Sequence, residues 1–129
     1  MQRDVQAYLD FAKDDLTVAK HLRNTLYPMP MGIICYHCQQ CAEKAIKALF
    51  LFFEMPGGIP RKHDLWFLLE QIKNKAAISE ELYDYADALN AFSASVRYPS
   101  EDSVSAYAME KSILYAEEIY AWAEGIVKA

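Results

Sequence analysis

The chain has 129 residues, of which 53% are apolar and 24% charged, and its formal net charge at pH 7 is −5. This length predicts one domain over residues 1–129, and the apolar fraction excludes a disordered chain because it can supply a core. The acidic balance argues against a clamp for duplex DNA, which needs many cations to neutralise phosphates. With only 4 Gly and 5 Pro, the chain has few turn signals, which favours helices over a β sandwich.

The composition of the N-terminal segment predicts a cytoplasmic location. Residues 1–15 carry acidic side chains where a secretion signal would have its apolar core. No stretch of the chain reaches the ~18 uncharged apolar residues that a membrane-spanning helix needs. We therefore expect a cytoplasmic protein that makes no contact with a membrane.

The first predicted helix covers about residues 3–26, where apolar side chains recur on one narrow face. Prolines at positions 28 and 30 end it, because proline lacks the amide hydrogen and restricts the residue before it. The residues of the apolar face are Val5, Tyr8, Leu9, Ala12, Leu16, Ala19 and Leu26.

The second predicted helix covers about residues 32–54 and is apolar except on one face roughly 140° wide. Such a helix is expected at the centre of a bundle, with its polar face open to a groove, an interface or solvent. The residues of this polar face are Tyr36, Gln39, Gln40, Glu43, Lys44, Lys47 and Glu54.

Three further helices are predicted in the second half of the chain. The third begins at residues 62–64, where Asp64 suits the positive end of a helix, and the fourth runs from Ser79 to about Ser95. The fifth is predicted to begin at a cap formed by residues 100–102 and to extend to Lys128. Short connections favour antiparallel neighbours, so the predicted fold is an all-α, antiparallel up-and-down bundle of about five helices.

The apolar surface of the predicted helices is larger than one small bundle needs. The fifth helix is apolar over roughly 200° of its circumference by helical-wheel counting, and most of the second helix is apolar as well. We therefore expect a homodimer whose functional site forms between two chains.

Three cysteines, Cys35, Cys38 and Cys41, lie within seven residues of the second helix. Their spacing resembles that of zinc or iron–sulfur ligands, but one continuous helix cannot wrap four ligands around an ion, and there is no second cysteine pair. An odd number of crowded cysteines also argues against disulfides. The residues are predicted to be small apolar core side chains, and neither a metal nor a cofactor is expected.

Candidate ligand-binding residues lie at a helix break and on the second helix. Arg97 and Tyr98 combine a guanidinium suited to phosphate with a ring that can stack on a base, although an arginine there can instead cap the preceding helix. On the second helix, His37 lies near Gln40 and Lys44, where it could contact a phosphate or base. The alternative for His37 is a buried histidine bonded to a neighbouring helix.

Three motifs together resemble those of HEPN domains. Residues 36–49 read Y-H-C-Q-Q-C-A-E-K-A-I-K-A-L and are similar to the motif helix of that family. Residues 63–65 resemble its H-D-L motif and residues 97–99 its R-Y-P motif, in the same order and at similar spacing. The resemblance implies a helical bundle, commonly a homodimer. It also implies a prokaryotic setting, in which the domain is often paired with a small nucleotidyltransferase in toxin–antitoxin or defence systems.

Members of this family that cut RNA use an arginine followed, after four to six residues, by a histidine. Arg97 matches the arginine, but positions 102–104 hold Asp102, Ser103 and Val104. Loss of one of the two proton-transfer groups costs about 10²–10⁴-fold in rate, so we expect no robust ribonuclease activity.

The function predicted from these residues is a binding module for a nucleotide or RNA segment, or for a minimal nucleotidyltransferase. Its site would consist of Arg97, Tyr98, His37, Gln40 and Lys44. The first alternative is a divergent endoribonuclease toxin that uses Arg97 with a displaced histidine or with neighbouring carboxylates, and the second is a purely structural dimerisation domain. The residues available to the endoribonuclease would be His37, His63, Glu101 and Asp102.

Overall fold

Five α-helices form in the part of the chain that the computed structural model describes, residues 2–93 and 104–129. No strand occurs within these ranges, and the predicted all-α bundle of about five helices is confirmed. The helices are α1 (Gln2–Thr25), α2 (Met31–Phe52), α3 (Leu65–Ile72), α4 (Glu80–Asn90) and α5 (Ala106–Val127).

Side-chain caps fix the starts of the last three helices. Asp64 accepts a hydrogen bond from the backbone N–H of Phe67 at 3.2 Å, and Ser79 accepts one from Leu82 at 3.1 Å, both at the predicted positions. The prediction that residues 100–102 cap α5 was wrong. Ser105 caps this helix, because its hydroxyl accepts a hydrogen bond from the backbone N–H of Ala108 at 3.0 Å. Several capping residue types lie close together before α5, and sequence preference alone does not choose among them.

The end of α4 also differs from the prediction, since the helix stops at Asn90 rather than near Ser95. The side chain of Asn90 accepts a hydrogen bond from the N–H of Leu65 at 2.8 Å and donates one to Asp64 at 3.0 Å. These contacts join the last turn of α4 to the start of α3. The helix therefore ends at a tertiary contact, which the local pattern of residues does not contain.

Helix α2 lies at the centre of the bundle and contacts all four of the other helices. Its three cysteines are fully buried and form no disulfide, which confirms that they are core residues. Burial raises the pKa of Cys41 to about 12 and that of Cys38 further still, so both remain protonated at neutral pH. The apolar surface of α2 is therefore covered largely within the chain and does not by itself require a second copy.

Helices α1 and α5 run side by side in opposite directions, and ion pairs join Lys20 to Glu117 and Arg23 to Glu110. Several large apolar side chains stay exposed on the helices. Phe11 is the most exposed of those on α1, at 54%. None of the described helices combines the length and hydropathy needed to cross a membrane.

Candidate functional site on the polar face of α2

The polar face of α2 divides into two hydrogen-bonded groups of side chains. We call the first the Asp15 cluster; it joins α1 to the outer part of the face and consists of Asp15, His37 and Lys44. We call the second the Glu43 cluster; it joins α2 to the segment before α3 and consists of Gln39, Glu43, Lys47 and His63.

The carboxylate of Asp15 holds the Asp15 cluster together. Its Oδ1 lies 2.8 Å from Nδ1 of His37, and its Oδ2 accepts a hydrogen bond from Nζ of Lys44 at 2.6 Å. His37 and Lys44 are seven residues apart and so lie on the same side of α2, two turns from each other. The Asp15 side chain is only 10% exposed, whereas those of His37 and Lys44 are 26% and 33% exposed.

His37 and Lys44 both keep hydrogen-bonding capacity that Asp15 does not use. Within the described part of the chain, His37 forms its side-chain hydrogen bond through Nδ1, so its Nε2 is not engaged by Asp15. The ammonium of Lys44 has three hydrogens, one of which the bond to Asp15 uses. Tyr36 packs edge-on against the His37 ring, with centroids 5.4 Å apart, and helps to fix its orientation.

The carboxylate and the lysine of the Glu43 cluster are more deeply buried than those of the Asp15 cluster, and the carboxylate is surrounded by donors. Glu43 accepts hydrogen bonds from Lys47 at 2.9 Å and from Gln39 at 3.2 Å, and Nδ1 of His63 lies 3.0 and 3.1 Å from its two oxygens. The Gln39 amide also donates to the backbone carbonyl of His63 at 3.1 Å. The side chains of Glu43 and Lys47 are 6% and 10% exposed, whereas the side chain of His63 is 57% exposed, so the ion pair is covered and the histidine lies at the surface of the cluster.

The electrostatics of Glu43 reflect these donors. Burial alone would raise its pKa, but the hydrogen bonds from Lys47, His63 and Gln39 and the charge of Lys47 together outweigh burial, and the pKa lies below its usual value of 4.5. Glu43 is therefore ionised at neutral pH and forms a satisfied ion pair with Lys47.

The His63–Leu65 segment has a structural role in this arrangement. His63 binds Glu43, Asp64 caps α3, and Leu65 is completely buried. The segment therefore connects the centre of α2 to α3 and, through Asn90, to the end of α4.

The structure brings together three of the five predicted site residues. His37 and Lys44 meet across Asp15, and Gln40 lies between them along α2, where its amide donates to Gln39 at 2.8 Å. The alternative interpretation of His37, a buried histidine bonded to a neighbouring helix, is correct in the bond to Asp15 of α1, but the side chain is 26% exposed. Contact of His37 with a ligand stays a prediction.

The other two predicted site residues, Arg97 and Tyr98, lie outside the described residues, as do Glu101 and Asp102. Their proximity to His37 therefore stays a prediction. His63 contacts Glu43 and is not part of the Asp15 cluster.

Sequence reasoning missed Asp15. Its position borders the apolar face of α1, one turn from the buried residues Ala12 and Ala19, and a carboxylate there signals a buried polar contact. Sequence reasoning also treated the polar face of α2 as a single strip. Gln39, Glu43 and Lys47 are instead buried beneath the segment that precedes α3.

No group of three or more His, Cys, Asp or Glu side chains suited to a metal ion is present within residues 2–93 and 104–129.

Comparisons with known proteins place the chain in a family. The model of the HEPN domain family matches residues 5–126, and the chain therefore belongs to that family, as its motifs predict. None of the curated proteins matches the chain.

Solved structures share the fold over nearly their whole length. TT1696 from Thermus thermophilus is 24% identical with a TM-score of 0.78, covering 97% of this chain and 98% of its own. ST0689, an archaeal HEPN homologue, is 23% identical with a TM-score of 0.77, covering 95% and 97%. The HEPN domain protein tm0613 from Thermotoga maritima is 29% identical with a TM-score of 0.75, covering 95% and 98%.

Proposed function

We propose that the protein is a HEPN binding module that holds a phosphate group of a nucleotide or RNA segment at the Asp15 cluster. The observation that carries this proposal is the presentation of His37 and Lys44 toward solvent from one buried carboxylate. Lys44 has free N–H donors, and a protonated imidazole donates from both nitrogens, so a phosphate can be bound from outside while Asp15 keeps both side chains oriented.

Arg97, Tyr98 and Gln40 complete the proposed site. The guanidinium of Arg97 supplies paired N–H donors for a phosphate, Tyr98 supplies a ring for base stacking, and Gln40 contributes from the same face of α2. The protein has a net charge of −5, so nucleic-acid contact is restricted to this small region.

A binding assay with ATP and with a fluorescently labelled single-stranded RNA tests the proposal. Replacing Lys44 with Met keeps the stem of the side chain and removes its charge, and we expect about fivefold weaker binding. The matched control is Lys13→Met on the exposed side of α1, which should bind like the wild type. Equal binding by Lys44→Met and Lys13→Met would refute the site.

Arg97→Ala tests the second half of the site. We expect weaker ligand binding with an unchanged melting temperature. Unchanged binding together with a melting temperature several degrees lower would instead show that Arg97 caps a helix.

The proposed assembly is a homodimer that docks a minimal nucleotidyltransferase, in a toxin–antitoxin or defence system of the bacterial or archaeal cytoplasm. Phe11 and Val18 on α1 and Ile33 on α2 are exposed and supply apolar contact area for such an assembly. Light scattering of the wild type and of a Phe11→Ser variant tests the dimer. A monomeric wild type at micromolar concentration would rule out the homodimer. A dimer that binds no nucleotide would instead indicate a purely structural dimerisation domain.

A second candidate function, metal-independent RNA cleavage, is favoured by the contact between His37 and Asp15. A carboxylate bound to Nδ1 orients an imidazole so that Nε2 can transfer a proton, which is the role of the missing histidine. Cleavage of RNA in the presence of EDTA that disappears in both His37→Ala and Arg97→Ala would establish this activity in place of simple binding.

A further inference from the structure

A cavity of about 350 Å³ lies between α3 and α4, away from the polar face of α2. Its volume is near the lower end of the ~300–1,000 Å³ range of small-molecule pockets, which suits one compact chemical group. The lining residues are Trp66 and Glu70 from α3 and Glu80, Tyr83 and Asp84 from α4.

An aromatic pair forms the apolar part of this cavity. The rings of Trp66 and Tyr83 lie with centroids 4.7 Å apart and planes tilted by 49°. Trp66 remains 43% exposed, whereas Leu65, Leu68 and Leu69 of the same helix are completely buried. The core of α3 is therefore filled without the indole, which stays partly exposed at the cavity. An indole ring can attract a cation through its electron-rich face.

A hydrogen bond holds the aromatic wall in place before any ligand binds. The hydroxyl of Tyr83 donates to Oε2 of Glu70 at 2.7 Å. Partial burial and this bond to Glu70 raise the pKa of Tyr83 to about 12, and the hydrogen bonds from Tyr83 and Lys73 lower the pKa of Glu70. At neutral pH the phenol is therefore a fixed, neutral donor and Glu70 is negatively charged.

The charge of the cavity is strongly negative and only partly balanced. Glu70 is paired with Lys73 at 3.3 Å, but no described cation forms an ion pair with Glu80 or Asp84. These two residues are four positions apart on one helix, a spacing at which like charges repel each other. A positively charged ligand would relieve that repulsion.

The arrangement distinguishes among kinds of ligand. The three acidic side chains repel phosphates and carboxylates. A neutral ligand would bury these acidic side chains without supplying a positive charge to balance them. The three carboxylates do not converge as metal ligands would, since the described residues contain no group suited to a metal ion. An organic cation, by contrast, is attracted by the aromatic faces as well as by the carboxylates.

We propose that the cavity between α3 and α4 binds an organic cation, a guanidinium or alkylammonium group, against Trp66 and Tyr83 with its charge toward Glu80 and Asp84. The group can come from a free amine or from a basic side chain of another protein. This proposal is independent of the proposed phosphate site, because it involves different helices and a ligand of the opposite charge.

Nuclear magnetic resonance of the uniformly ¹⁵N-labelled protein tests the proposal. The chain has two tryptophans, and a Trp66→Phe variant assigns their indole N–H signals. Trp122 serves as the internal reference because its indole N–H is already bound to the carbonyl of Ala77 at 3.2 Å. The probes are tetramethylammonium for free amines, N-acetyl-arginine amide for basic side chains, and tert-butanol as a neutral control of similar size.

We expect saturable shifts of the Trp66 signal with a cationic probe, while the Trp122 signal moves little and tert-butanol does not saturate. Asp84→Asn and Glu80→Gln should each weaken the affinity about threefold or more. Asp14→Asn on α1 makes the same charge change away from the cavity and should bind like the wild type.

Tighter binding of the arginine amide supports a protein side chain as the occupant, and tighter binding of tetramethylammonium supports a free amine. The proposal is overturned if neither cation gives a saturable shift, if tert-butanol binds equally well, or if both acidic-to-amide variants keep wild-type affinity. The spectra also report whether each variant is folded, so loss of structure is not mistaken for loss of binding.

Discussion

The Asp15 cluster and the Glu43 cluster lie on the same face of α2 and contain the same kinds of groups, a carboxylate, a lysine and a histidine, yet their lysines differ in burial. The lysine of the first cluster is 33% exposed and that of the second is 10% exposed. The covered Glu43–Lys47 pair lies within α2, and its cluster is bonded to the segment before α3 through Gln39 and His63. The partly open Asp15–Lys44 pair joins α1 to α2 and leaves donors for a ligand. Similar residue patterns on one helix can therefore have different roles because different segments pack over them.

The largest effect that tests this comparison is expected for Glu43→Ala. The substitution leaves Lys47 and Gln39 buried without their shared acceptor, which should lower the free energy of unfolding by about 3 kcal/mol. Urea denaturation measures this loss, and Glu118→Ala on the exposed side of α5 is the control. A loss as small as that of the control would show that the Glu43 cluster does not stabilise the bundle.

A smaller effect is expected for Asp15→Asn in the other cluster. The variant loses charge-assisted hydrogen bonds to His37 and Lys44, but both of those side chains can turn to solvent, so the cost should be about 1.5 kcal/mol. Asp14→Asn, next to it on the exposed side of α1, is the matched control in the same denaturation experiment. A loss equal to that of Glu43→Ala would contradict the distinction between an open and a covered cluster.

The pH dependence of stability tests the ion pair of the Glu43 cluster. The pKa of Glu43 is lower in the folded protein than its usual value of 4.5, so the unfolded chain binds more protons as the pH falls. The stabilisation by ionised Glu43 is thus present above about pH 4.5 and is lost as the pH falls through the lower folded-state pKa. The difference in free energy of unfolding between the wild type and Glu43→Gln should therefore become smaller as the pH falls below about 4.5, as measured by urea denaturation at each pH. A difference that stays constant with pH would argue against an ionised Glu43.

The smallest effect on stability is expected for Lys44→Met. Its ammonium is partly solvated, so its removal should change the free energy of unfolding by only about 0.5 kcal/mol. Thermal melting checks this value, while the RNA-binding assay should show the larger change. If Lys44→Met lowers the melting temperature strongly and binds RNA normally, Lys44 has a structural role like that of Lys47.

Much of the fold could be predicted from local patterns, because the spacing of apolar residues along a helix shows which side of the helix is buried. The apolar spacing of α1 to α5 and the caps at Asp64 and Ser79 follow from helix geometry and from unsatisfied N–H groups, which need no tertiary information. The exceptions are the start of α5 and the end of α4. At the first, several capping residues compete, and at the second, Asn90 contacts a distant segment.

The candidate site was predictable only in part. Helix periodicity placed His37, Gln40 and Lys44 on one face, since residues three and four apart lie side by side. It did not show that Asp15 would meet them from α1, because that contact depends on the packing of two helices separated by a turn.

The sequence by itself determined the helical class, the central place of α2, the buried cysteines and the membership of the HEPN family, because each follows from local spacing or from motifs along the chain. Only the tertiary structure decided which polar residues are covered and which are open. It placed His63 over Glu43 and left Lys44 partly in solvent. The physical reason is that burial depends on which distant segment covers a side chain.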